Sequence, residues 1–85
     1  MYTIYTREAC NYCDMAKAEM TRLGIKYKEI PQTQKSIYEL HEKLAQEMVT
    51  YPQIFNSAGV SIGGFEDFLD YTQYEDAVNK TGQQL

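Results

Sequence analysis

A strand that hands over to a helix through two cysteines constrains this chain more than any other feature. The only two cysteines among its 85 residues form Cys10-Asn11-Tyr12-Cys13. Before them, Met1-Tyr2-Thr3-Ile4-Tyr5-Thr6 is rich in β-branched and aromatic residues and reads as a buried strand. After them, Ala16, Met20 and Leu23 recur at helical spacing with Cys13 on the same face, and Gly24 offers a stop. Cys10 therefore falls at or just before the first helical turn. There, unpaired backbone N–H groups and the positive end of the helix dipole stabilise a thiolate over a thiol. The thiolate is the nucleophile, so Cys10 is expected to attack, with Arg7 adding positive charge three positions upstream. Cys13, one turn further and pointing inward, is expected to resolve. Two intervening residues let the sulfurs close a disulfide without unwinding the helix.

Plainer uses of the pair exist. A structural zinc site needs four ligands, and the chain offers no second cysteine pair and a single histidine, His41. Two inert cysteines packed as small hydrophobes are the other. Redox chemistry is the favoured reading. Length bounds the chain to one domain, 1–85, with a modest core, to which eight tyrosines are expected to contribute much of the buried area. A net charge of −4 with no basic run argues against nucleic acid or an anionic membrane, leaving thiols and proteins as the expected partners of a monomer. The N-terminus enters a strand without the pattern of an export signal, and no apolar run reaches the length of a membrane span, so a cytoplasmic location is expected. In a reducing compartment this spacing favours a reversible catalytic disulfide over a structural one.

Further along, Ile25 to Ile30 alternates as a second strand that Pro31 stops. Ser36-Ile37-Tyr38-Glu39 has the form of a capping box, and Ile37, Leu40, Leu44 and Met48 mark one face of a second helix with His41 on its wet side. Tyr51-Pro52-Gln53-Ile54-Phe55 reads as a strand begun by proline, Asn56 to Gly59 as a turn, and Val60 and Ile62 as its hairpin partner, which Gly63-Gly64 breaks. Phe65, Phe68, Leu69, Thr72, Ala77 and Val78 mark a third helix before a polar tail, Lys80 to Leu85, expected to fray. The order βαβαββα predicts an α/β fold, a four-stranded mixed sheet flanked by three helices on both faces.

Cys10-Asn11-Tyr12-Cys13, Thr50-Tyr51-Pro52-Gln53-Ile54-Phe55 and Ile62-Gly63-Gly64-Phe65-Glu66-Asp67 together resemble the three signature regions of glutaredoxins, in the same order and at similar separations. The resemblance spans nearly the whole chain and implies a thioredoxin-like fold, with glutathione as reducing co-substrate and no tightly bound cofactor. It matches the small bacterial and phage-type members that donate hydrogen to ribonucleotide reductase, which makes disulfide-containing proteins, including that enzyme, the implied clients. It implies that Pro52 is cis, turning the Tyr51 backbone outward to pair with the cysteine moiety of glutathione like an added strand. Thr50 flanks the same groove, and Tyr12 shields the disulfide. Gly64 permits close approach, and Phe65, Glu66 and Asp67 open a helix whose N–H groups take the γ-glutamyl carboxylate. Asp67 then neutralises the γ-glutamyl amine, with Glu66 as second candidate, although acids in a first helical turn also stabilise without a ligand. Arg7 stands where the family has a lysine for the glycyl carboxylate, with Gln34 or Lys35 as possible helpers.

Asn11 replaces the family's usual proline, Tyr51 replaces a valine, and Ala45 to Val49 runs into Thr50 without the usual glycine. None of these removes a reacting atom. Two alternatives use the same cysteines: a thioredoxin-like reductant fed by a flavoenzyme, and a module holding a [2Fe–2S] cluster between two subunits with glutathione as co-ligand.

Overall fold

The computed structural model describes residues 1–73. Strands β1 (Tyr2–Thr6), β2 (Tyr27–Pro31), β3 (Gln53–Phe55) and β4 (Ser61–Gly63) form one sheet in the order β2-β1-β3-β4. β1 runs parallel to β2 and antiparallel to β3, and β4 returns antiparallel to β3, giving the expected mixed sheet. Helix α1 (Asn11–Arg22) makes the crossover from β1 to β2, and α2 (Gln34–Leu44) follows β2. Residues 65–73 form a third helix, α3, as far as the described residues reach. Ala77, Val78 and the segment Lys80 to Leu85 lie outside them.

The alternation of β1 sorts the helices onto the two faces of the sheet. Ile4 points to one side and packs with Ile54, with Ala16 and Met20 of α1, and with Phe68 of α3. Tyr5 points to the other and packs with Phe55 and with Leu40 of α2, flanked by Leu44, Val49 and Tyr51. Tyr5 is the one tyrosine fully buried among the described residues, so aliphatic side chains and Phe68 fill the core more than the composition suggests. α1 is fastened at its middle by Glu29, which accepts a hydrogen bond from the Thr6 hydroxyl at 2.7 Å and pairs with Lys17 at 3.2 Å. The Thr6 hydrogen bond first, and Lys17 after it, hold the Glu29 carboxyl below the ordinary carboxylate range.

Several boundaries differ from the sequence reading. β2 starts at Tyr27 rather than Ile25 and ends on Pro31, which pairs with Thr6; at a sheet edge a proline costs no ladder bond. The cap of α2 is Thr33, not Ser36. Thr33 Oγ1 accepts from the Ser36 N–H at 3.0 Å, and Ser36 Oγ accepts from the Thr33 N–H at 2.8 Å, a capping box with serine in the place of the usual acid. α2 ends at Ala45, which adopts a left-handed φ of 52°, so Met48 leaves the helix and is 90% exposed instead of extending its apolar face. His41 is half-buried rather than wet. Val60 stays outside β4 and is exposed, its N–H donating to Asn56 Oδ1 within the turn.

Candidate active site

Cys10 is the N-cap of α1, with extended backbone, and its sulfur accepts a hydrogen bond from the Cys13 N–H at 3.1 Å. Sulfur stands where serine or aspartate usually satisfies an open helix N–H. Cys10 and Cys13 are joined in a disulfide with their Cα atoms 5.2 Å apart. Both residues are buried, Cys13 at 1% exposure and Cys10 at 6%, so Cys10 is the less buried residue of the pair. Ala9, just before the cap, adopts φ 52°, a left-handed turn that brings the chain from β1 into the helix.

Beside the disulfide runs a groove of about 290 Å³ lined by Tyr12, Thr50, Tyr51, Pro52, Gly64, Phe65, Glu66 and Asp67. Three separate stretches of chain thus meet in one depression, at the small end of ligand pockets. The Tyr51–Pro52 peptide is cis, as the resemblance implies, and no hydrogen bond among the described residues takes up the Tyr51 N–H or C=O. The Tyr12 and Phe65 rings face each other with centroids 6.1 Å apart, Tyr12 remaining 56% exposed. At the far end, Asp67 folds back so that its Oδ2 accepts from the Gly64 N–H at 3.1 Å. The capping role foreseen for one of the two acids therefore falls to Asp67, while Glu66 is exposed at the groove.

Arg7 is not among the residues lining the groove. It lies exposed on the preceding loop, its guanidinium donating to the carbonyls of Glu8 at 3.2 Å and Ala9 at 3.5 Å. Lys35 lies in a different depression, with Glu29, Ile30 and Glu39, and Gln34 does not line the groove either. Two residues in or next to the site's motifs in sequence carry structural roles that the sequence does not mark. Gln53 buries its amide beneath Thr50, a position marked only by a polar residue between Pro52 and two apolar ones. Ala9 carries no sequence signal for its left-handed turn. No group of three or more metal-ligating side chains forms among the described residues.

The glutaredoxin family profile matches residues 2–60. Glutaredoxin 3 of Escherichia coli is 36% identical over 64 residues, which are 75% of this chain and 76% of that protein. The chain belongs to the glutaredoxin family. Among solved structures, the glutaredoxin of Brucella melitensis is 36% identical with a TM-score of 0.67, covering 95% of this chain and 89% of its own. Glutaredoxin 1 of Francisella tularensis is 26% identical with a TM-score of 0.69, covering 92% and 95%. This glutaredoxin is thus a thiol–disulfide oxidoreductase with a thioredoxin-like fold, and Cys10 and Cys13 are its redox-active pair. No helix among its described residues is long and apolar enough to cross a membrane.

Proposed function

We propose that this glutaredoxin uses glutathione to reduce protein disulfides and glutathione mixed disulfides in a reducing compartment, acting as a monomer. Family membership makes ribonucleotide reductase a candidate client. The observation that carries the reading is the groove itself, which runs from Tyr12, next to Cys13 in the active-site motif, past the open backbone of Tyr51 to the start of α3. A γ-glutamyl tripeptide suits each part. Its cysteine backbone pairs with Tyr51 as a short added strand. Its γ-glutamyl carboxylate meets the first N–H groups of α3, and its ammonium meets Glu66 and the free oxygen of Asp67. Arg7 reaches the glycyl carboxylate once it leaves the loop carbonyls it now serves.

Cys10 attacks as thiolate, because the Cys13 N–H aimed at its sulfur stabilises the charged form more than the neutral one. On a glutathionylated protein, Cys10 bonds to the glutathione sulfur and the protein thiolate leaves and is protonated. A second glutathione thiolate then attacks the glutathione sulfur on Cys10, releasing oxidised glutathione and the Cys10 thiolate. On a protein disulfide, Cys10 attacks one client sulfur and expels the other. Cys13 then bonds to Cys10, displaces the second client thiol and closes the disulfide. Two glutathione molecules reopen it, leaving as one oxidised glutathione.

The test is the electron source. With a small glutathione mixed disulfide, turnover should saturate with glutathione when glutathione reductase and NADPH regenerate it. Turnover supported by thioredoxin reductase, with none from glutathione, would favour the flavoenzyme-fed reductant instead.

A further inference from the structure

Gln53 opens β3 with its side chain in the protein interior, directly after the cis proline. Its Nε2 donates to the Thr50 carbonyl at 2.9 Å and to Thr50 Oγ1 at 3.2 Å. The bond to the carbonyl fixes the orientation of the amide. A backbone carbonyl only accepts, so the NH2 side of the amide must face it, and turning the amide over would set two oxygens against each other. The same NH2 group then makes the Thr50 hydroxyl an acceptor on its inner side. Its own hydrogen is left to point elsewhere, and Thr50 lines the groove.

We propose that Gln53 is a positioning residue that presents the Thr50 hydroxyl to the groove as a hydrogen-bond donor, aimed at an acceptor oxygen of the bound thiol peptide. The two bonds span the Tyr51–Pro52 peptide, so one buried amide also holds in place the backbone against which the ligand lies. The inference rests on the glutathione reading given above. It adds a residue that does not line the groove and sets the donor character of one that does.

Steady-state kinetics on glutathione with a small mixed disulfide test it. Gln53→Met keeps the length of the side chain and removes the donor; loss of one oriented hydrogen bond should raise the KM for glutathione about fivefold with kcat unchanged. Thr50→Val should give a similar rise, and Thr50→Ser, which keeps the hydroxyl, should restore the wild-type value. In the double variant of Gln53→Met and Thr50→Val the rise should fall short of the product of the two single rises, because one residue acts through the other. An unchanged KM in a folded Gln53→Met, or rises that multiply, would overturn the inference while saturable wild-type turnover leaves the glutathione reading standing. If Gln53→Met does not fold, the Thr50 pair decides: equal KM values for Thr50→Val and Thr50→Ser would overturn it. Wild-type turnover without glutathione saturation would overturn both.

Discussion

Gly63 joins the sheet to the groove, and replacing it with alanine should cost more than any surface change. It sits at φ 116°, outside the region open to side chains, just ahead of the helix that begins at residue 65. Holding alanine there costs about 1–3 kcal/mol. A Cβ at this point would also run into the Asp67 carboxylate, the group that caps α3 through the Gly64 N–H. Displacing that carboxylate removes a hydrogen bond of about 1 kcal/mol. Together these give about 2–4 kcal/mol, or roughly 8–32 °C in melting temperature at about 4–8 °C per kcal/mol for a domain of this size. Far-UV circular dichroism melts of the wild type, Gly63→Ala, Asp67→Ala and the double variant would separate the parts. Asp67→Ala alone should cost about 1 kcal/mol, and the double variant should fall short of the sum by a similar amount, since the capping bond is lost only once. Gly64→Ala is the control. Its Cβ meets only the Pro52 carbonyl at 3.7 Å, ordinary contact, and the variant should melt near the wild type. A Gly63→Ala protein melting within a few degrees of the wild type, or strict additivity with Asp67→Ala, would refute this account of the turn.

Ala45 ends α2 in a left-handed conformation that glycine adopts freely, so Ala45→Gly should raise stability by about 0.5–1 kcal/mol, read as a higher urea midpoint at unchanged slope. Glu29 supplies the pH dependence. Its folded pKa lies below the unfolded one, so its contribution is present above the unfolded value and is lost as pH falls through the folded value. Glu29→Gln should therefore lower the urea midpoint near neutral pH, and its gap to the wild type should close in acid below the ordinary carboxylate range. A gap that widens in acid would contradict that sign.

The parts of the fold written locally were legible. The apolar periods of β1 and α1, with the cysteine pair at their junction, fix the handover because strand alternation and helix capping are short-range properties. Boundaries failed where tertiary position overrode a local rule. Pro31 remains in β2 because that strand is an edge, and Met48 leaves α2 because Ala45 turns left-handed without a glycine to announce it. Thr33 carries no strong cap signal in the sequence because its partner at the third helical position is serine rather than an acid. At the groove, the three motifs marked the lining residues, but not what supports them. The amide of Gln53 under Thr50 and the clasp of Asp67 on the Gly63-Gly64 turn depend on how the chain folds back on itself. Arg7 is a further case: its place in the family pattern implies a ligand contact, and its side chain here donates to the carbonyls of its own loop, which the sequence does not announce.

The central claim is that Cys10 attacks and Cys13 resolves. Turnover of a glutathionylated substrate and of a protein disulfide, measured side by side for Cys10→Ser and Cys13→Ser, tests it most directly. Cys13→Ser should keep the first activity and lose most of the second, because only the dithiol route needs the buried sulfur, while Cys10→Ser should lose both. Equal loss of the first activity in the two variants would contradict the assignment.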